Sequence, residues 1–548
     1  MTRRPLCFAA LLLLPAGAAA QAPTAGSHAA DAPTTRVVRA TAPIRLDGRL
    51  DDAAWAAAEA TTSFTQYDPD EGQPGSEATE VRVLYDDEAL YVGVRLHDRG
   101  RVSTRLGRRD MDLGDSDWFG LVIDSYHDHQ TAFSLDINPS GVRRDATKTD
   151  QGDDLSWEAV WEAEASVDSG GWSAEYRIPF SQLRFNPRET TWGVLFERII
   201  GRRGEYAVSS FTPRSERGGI ARYGHLVGLD DVRTGKRLEI LPYTVARAEH
   251  VDPGENPFRG DREYGMSAGV DLKYRLSTNL TLDATLNPDF GQVEVDPAVV
   301  NLTAFETVFQ EKRPFFVEGS EIFSFGPGSL PAGGSPFYSR RIGGRFSPLG
   351  PPSPLADLPG ETGILGAAKL SGKTAGGWSL GVLDAVTARE EARFRDGSGD
   401  HSMVVEPLTN FFVGRLRRDL RGGQSYLGGA LTAVNRDLET DALRQVLPGA
   451  AFTGGVDFKH EFARRQWVLT GFASASHVRG DSLALQRVQR RPWHYFQRPD
   501  AEHLALDSAA RSLSGASAEL RVRKQAGEHW RVSVGAGTIT PGYEISDL

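Results

Sequence analysis

Cysteine is all but missing from this chain: Cys7 is the only one among 548 residues. It lies in the opening stretch MTRRPLCFAALLLLPAGAAAQA, where Arg3 and Arg4 precede an apolar run from Leu6 to Leu14 and Ala18-Ala19-Ala20 precede Gln21. A basic start, a short apolar run and small residues before a cut mark a secretory signal peptide over residues 1–20, too short to span a bilayer. Cys7 falls too early in that leader to be a lipid-attachment cysteine. Cleavage leaves a chain without any thiol in an oxidising compartment. Disulfides, thiolate metal sites and cysteine catalysis are thereby excluded.

Two further shortages narrow the choice. Lys and Arg number 62 against 73 Asp and Glu, a net charge of −11. Nucleic acid is therefore not an expected partner, because such binding needs a basic face. No later segment approaches the roughly 20 apolar residues of a spanning helix, in keeping with a mean hydropathy of −0.36. A transmembrane barrel escapes that test, since only every second residue of its strands meets lipid.

Aromatic residues are unevenly spread. Six of the ten tryptophans, Trp55, Trp118, Trp157, Trp161, Trp172 and Trp192, precede residue 200. Residues 21–35, QAPTAGSHAADAPTT, read as a low-complexity linker. A first domain is expected over 36–230 and a second over 236–548. In the first, short alternating runs recur between turn residues: EVRVLYD, ALYVGVRLHD, DWFGLVIDSY, TAFSLDINPSG, AVWEAEASVD, GWSAEYRIPF and TWGVLFERII. Such frequent strands with little helical pattern predict an antiparallel β-sandwich. Pro179 is expected to close its strand, because it cannot donate to a ladder.

Four stretches in order, IRLDGRLDDAAW, VLYDDEALYVGVRLHD, SDWFGLVID and GGWSAEYRIPFSQL, resemble the family-nine carbohydrate-binding modules over roughly residues 40–200. The resemblance implies a β-sandwich that binds sugar on tryptophan faces, often with a structural calcium. Residue chemistry offers candidates for both. If SWEAVWEAEA is a strand, Trp157 and Trp161 share one face, about 13 Å apart, with only Ala159 between them. They form either a sugar platform, with Trp118 on a further face, or part of the core. Asp110, Asp112, Asp115 and Asp117 fall within RRDMDLGDSD. Carboxylate oxygens this dense suit Ca²⁺, though the spacing is not that of an EF-hand and a solvated acidic turn is the default explanation. His127 and His129 in SYHDHQ offer two imidazoles but no evident third ligand.

From Leu238 the alternation lengthens. Met266, Ala268, Val270, Leu272, Tyr274 and Leu276 share one face, with Ser267, Asp271, Lys273 and Arg275 opposite. NLTLDATL, FFVGRLRRDL, GGVDFKHEF, AELRVRK and WRVSVGAGT repeat the pattern. Small or apolar residues facing lipid and charges facing a lumen predict a transmembrane antiparallel β-barrel. About eleven strands are counted and the sequence stops at GTITPGYEISDL, so a whole barrel is not expected within it. An acidic insert over 287–323 interrupts the alternation. There Asp296 is expected to cap a helix starting at Pro297 and stopped by Pro314, with Val299, Leu302, Phe305 and Phe309 as its apolar stripe. This insert also resembles the signature of an uncharacterised family of outer-membrane proteins, in which a family-nine-like module precedes a barrel. The resemblance implies an outer-membrane location, with the first domain periplasmic or at the barrel mouth.

No catalytic motif stands out. LSGKT at 370–374 imitates the end of a phosphate-binding loop but has Ala367 where the first glycine belongs. His460 lacks the second histidine of a zinc protease, and no G-x-S-x-G elbow occurs. Glu294, Asp296, Glu306, Glu311 and Glu318 of the insert are carboxylates that a paired or solvated surface explains. The leading expectation is a glycan-binding outer-membrane barrel with carbohydrate and lipid as partners, and a periplasmic protein as a further one. The alternatives are a membrane-anchored glycoside hydrolase, or a purely structural plug role for the sandwich.

Overall fold

A computed structural model describes residues 32–546 apart from 150–151, 156, 187–188, 231, 233–237, 251, 253, 278, 289–299, 303–306, 327–335, 345–346, 354 and 375. The leader, most of the linker, and Glu294, Asp296, Val299, Phe305 and Glu306 lie outside these residues.

Two sheets built between Thr34 and Val227 face one another. A 9-stranded sheet runs in the order Thr34–Arg36, Gly224–Val227, Thr191–Ile200, Trp118–Asp124, Thr131–Ile137, Arg143–Thr149 and Gly152–Asp154, with Glu205–Val208 and Thr65–Asp68 off that path. A 5-stranded sheet orders Glu162–Asp168, Gly171–Pro179, Ala89–His97, Thr79–Tyr85 and Val38–Arg39. Alternation decides which side chains meet between them. Phe119, Leu121 and Ile123 from one sheet and Val92, Val94 and Tyr176 from the other are buried in a single cluster. The strand Gly171–Pro179 ends at its proline. The expected strand across Trp157–Trp161 is not formed: regular structure begins at Glu162.

An 11-stranded antiparallel sheet follows, from Leu238–His250 at one edge to Val532–Ile539 at the other, each strand paired with its neighbour in sequence order within the sheet. Period two shows in the burial of inner strands such as Leu280–Leu286 and Trp378–Thr387, while the edge strands are exposed along most of their length. In Leu280–Leu286 the buried residues are Thr281, Asp283 and Thr285, while Leu286 is exposed. Arg415 and Asp457 are buried, and their sheet neighbours Leu416 and Val456 are 46 % and 56 % exposed. Polar residues therefore point inward over much of this sheet and apolar ones outward.

Here the barrel expectation is corrected. The sheet is open: among the described residues no ladder joins Leu238–His250 to Val532–Ile539. An open sheet edge in hydrocarbon leaves backbone N–H and C=O groups unsatisfied at several kcal/mol apiece. The fold is all-β with an N-terminal sandwich, but not with a closed barrel. It does not support the expected outer-membrane location or a lipid partner. Among the described residues, no helix is long and apolar enough to cross a membrane.

The insert differs as well. Residues 307–313 are not helical, and Pro314 begins the short helix Pro314–Val317 instead of ending one. A ring-locked φ with no N–H to satisfy suits proline to that first position. Leu302, expected on the helix's apolar stripe, is 91 % exposed. The described part of the insert packs on the inner face of the sheet. Phe315, Phe316, Ile322 and Phe323 cluster with Leu383, Phe411, Val413 and Val434. Along Thr409–Leu420 the inward side chains thus pass from Phe411 and Val413, under the insert, to Arg415 and Arg417, toward the sandwich.

Candidate functional site

The sandwich meets the inner face of the 11-stranded sheet through charged side chains. Lys373 pairs with both Asp128 and Asp419. Arg184 donates to Glu318 and to Ser371 Oγ, both at 3.2 Å, and Lys273 Nζ lies 2.7 Å from the same Glu318 oxygen. Arg275 donates to the Ser181 carbonyl. Burial alone would raise the Glu318 carboxyl, but Lys273, Arg184 and Lys369 outweigh it and hold it down at about 2. Asp128 behaves alike: burial raises it, and Lys373 with hydrogen bonds from Thr131 and Gln130 brings it down to about 2. Glu311 is paired with Arg313 at 2.8 Å.

Between these contacts lies a cavity of about 170 Å³, lined by Trp157 and Phe133 beside Gln182, Arg184, Glu158 and Glu318. Trp157 reaches it because the segment before Glu162 is irregular. Released from strand alternation, Trp157 turns onto Phe133, with ring centroids 4.8 Å apart, and stays half-buried. Trp161 instead stacks on Tyr176 at 5.4 Å inside the core and is 2 % exposed. Trp118 is 1 % exposed and lies under a loop, its indole N–H donating to the Leu113 carbonyl at 2.7 Å.

The aspartates of RRDMDLGDSD are not brought together. Asp112 and Asp115 are exposed. Asp117 is buried and accepts from the backbone N–H groups of Gly201 and Ser103, which makes it a loop staple. Asp110 joins Asp145 and Glu158, whose ligand atoms lie within 4.8 Å of one another, an arrangement able to coordinate a metal ion. Arg109 already stands among them, 2.6 Å from Asp145 and 3.1 Å from Glu158. Burial, the largest cause in each, raises the carboxyls of Asp110 and Glu158. Asp145 carried no local signal in VRRDATKTD; only the ladder between Thr131–Ile137 and Arg143–Thr149 positions it. His127 and His129 stack edge to face at 4.7 Å, and His225, distant in sequence, approaches His127 at 5.9 Å.

A family model described as a domain of unknown function (DUF5916) matches residues 234–548. The chain belongs to that family. A second model, carbohydrate family 9 binding domain-like, matches residues 46–198, so a carbohydrate-binding domain of that type is fused to the DUF5916 domain. No curated protein matches the chain. Among solved structures, a family 9 carbohydrate-binding module from Caldicellulosiruptor kristjanssonii in complex with cellotriose is similar at 16% identity, over 37% of this chain and 95% of that one, with a TM-score of 0.28. OprB of Pseudomonas putida is similar at 12% identity, over 78% of this chain and 89% of that one, with a TM-score of 0.23. At such identities and scores these two likenesses carry no argument about ligand or location.

Proposed function

We propose that this DUF5916 protein binds carbohydrate in the cleft between its sandwich and its 11-stranded sheet, with Trp157 as the ring-stacking residue. The supporting observation is the position of Trp157: a half-buried indole lining a cavity next to Gln182, Arg184 and Glu158, in the segment matched by the carbohydrate-binding model. An indole face covers the apolar side of a pyranose while amide, guanidinium and carboxylate groups take its hydroxyls. Calorimetric titration of the full chain with an oligosaccharide panel tests this. Trp157→Ala is expected to abolish binding while the cooperative melt remains. Retained affinity in that variant would sink the proposal.

A hydrolytic reading has one observation in its favour. Glu158 and Glu318 line the same cavity, with Glu158 raised and Glu318 held ionised near 2. Carboxylates pushed apart in this way are what general-acid catalysis on a glycosidic bond requires. Chromatography of a bound oligosaccharide after prolonged incubation decides it: cleavage lost in Glu158→Gln supports hydrolysis, and an intact ligand refutes it. For the Asp110, Asp145 and Glu158 cluster we propose calcium as the ion to test, since hard carboxylate oxygens favour it. It would have to displace Arg109, and an unchanged melting temperature on adding calcium would rule it out.

A further inference from the structure

Beside the Trp157 cavity lies a larger one of about 450 Å³, and the two adjoin along Thr131, Thr147, Thr149 and Glu321. Its sheet wall is cationic: Lys373, Arg415, Arg417, Lys459, Arg521 and Arg523 all line it. Arg217 adds a seventh cation from the sandwich, against Asp153, Asp154 and Glu321 as the lining carboxylates. Three of these cations are oriented from behind. Arg415 is held bidentately by Asp457 at 2.6 and 2.8 Å, Arg417 by Asp419 at 3.1 Å, and Arg521 by Glu519 at 2.8 Å. None of these three carboxylates lines the cavity. Arg523 is exposed, and no carboxylate ion-pairs with it among the described residues.

The lining is also rich in donors. Gln130 Nε2, Ser379 Oγ and Arg415 Nε are buried without a hydrogen-bond acceptor among the described residues. Tyr426, under the Arg417 guanidinium at 5.0 Å, supplies a ring face. An anion placed among cations fixed by backing carboxylates gains charge-assisted hydrogen bonds without having to order those side chains.

We infer that the ligand is an acidic oligosaccharide, whose uronate carboxylate is taken by the Arg417, Arg521 and Arg523 wall while a neighbouring ring lies on Trp157. This rests on the carbohydrate-binding reading above. The acceptors Asp153 and Asp154 on the sandwich side suit the hydroxyls of the same sugar, which a simple inorganic anion would not use. A neutral glycan would leave Arg523 without a carboxylate partner among the described residues.

The test is calorimetry on the full chain with a glucuronate-containing trisaccharide and with the same trisaccharide after its carboxylate is reduced to the alcohol. The acid is expected to bind at least about tenfold more tightly, the scale of one charge-assisted hydrogen bond. Its affinity should fall as sodium chloride rises from about 50 to about 500 mM, through screening. Arg523→Gln, at an exposed position where the fold does not need the charge, is expected to erase the preference without moving the melting temperature. Arg498→Gln, whose partner is Asp500 away from the cleft, should leave it intact. Equal binding of acid and alcohol overturns this inference and leaves the carbohydrate reading standing. Binding of neither overturns both. An acid preference unchanged in Arg523→Gln overturns the placement in this cleft.

Discussion

In the sandwich, two sheets turn their apolar faces toward each other, and Phe119, Val92 and Tyr176 meet in a core closed to water. In the 11-stranded sheet the sense is reversed over much of the surface. Arg415, Asp457 and Lys369 are buried, while Met266 and Tyr264 are 82 % and 77 % exposed. Both regions obey the same period-two alternation, so the difference lies in what each face meets. The sandwich supplies its own second apolar layer. The large sheet has the sandwich laid on its polar face through Lys373–Asp128 and Arg184–Ser371, with an apolar patch under the insert. Alternation by itself therefore separates two faces without saying which is the inside.

The strongest test of this contrast removes one buried group from each region. Phe196→Ala in the sandwich core is expected to cost about 3–5 kcal/mol through lost burial and the cavity left behind. Asp457→Ala is expected to cost about the same for a different reason, since it strands the Arg415 guanidinium. A paired Arg415→Leu, Asp457→Leu variant should recover most of that loss if the geometry tolerates the swap. Urea denaturation of the four proteins measures this. A double variant as unstable as Asp457→Ala would show that the polar face is needed for more than local charge balance.

The pH dependence of stability should divide between the regions. Glu318 and Asp128, both held down near 2, stabilise the folded state fully above their unfolded values near 4. Their contribution is lost as pH falls from about 4 toward 2, so docking of the sandwich on the sheet weakens there. Asp136 inside the sandwich goes the other way. Burial, reinforced by Glu197 and opposed by Arg144, raises it to about 6. Its contribution is full below about 4 and lost as pH rises through 6. Denaturation midpoints at pH 2, 4, 5 and 7 check both signs, and Asp136→Asn is expected to flatten the upper window alone.

At the small end, Leu431→Ser and Val456→Ser on the outer face of the sheet replace residues that are 51 % and 56 % exposed. Each is expected to change stability by no more than about 0.5 kcal/mol. A loss of about 2 kcal/mol in the isolated chain would mean that this face is covered in solution, and would erase the contrast between the two regions.

The sequence alone determined the all-β class, the strand faces and the sandwich, because alternation and turn residues act over a few neighbours. It offered Trp157, Trp161 and Trp118, and Asp110, Asp112, Asp115 and Asp117, as candidates without distinguishing among them. The count of about eleven strands already spoke against a whole barrel, but the transmembrane-barrel reading could not be tested there: a barrel wall and an open sheet share the same face pattern and differ only in whether the edge strands at Leu238 and Val532 pair, a contact across the whole sheet. The insert shows the same limit. Pro314 can stop a helix or start one, and the apolar patch of the sheet beneath Phe315 and Phe316 goes with the start. Trp161 entered the core and Trp157 the cleft because the chain between them is irregular, so the period that would have put both on one face does not apply. Asp145 and Glu158 joined Asp110, and His225 joined His127, through ladders and packing between segments far apart in the chain. Side-chain direction along a strand is a local property of the backbone. Which of those directions converge on a cleft is fixed only when separate sheets pack against each other.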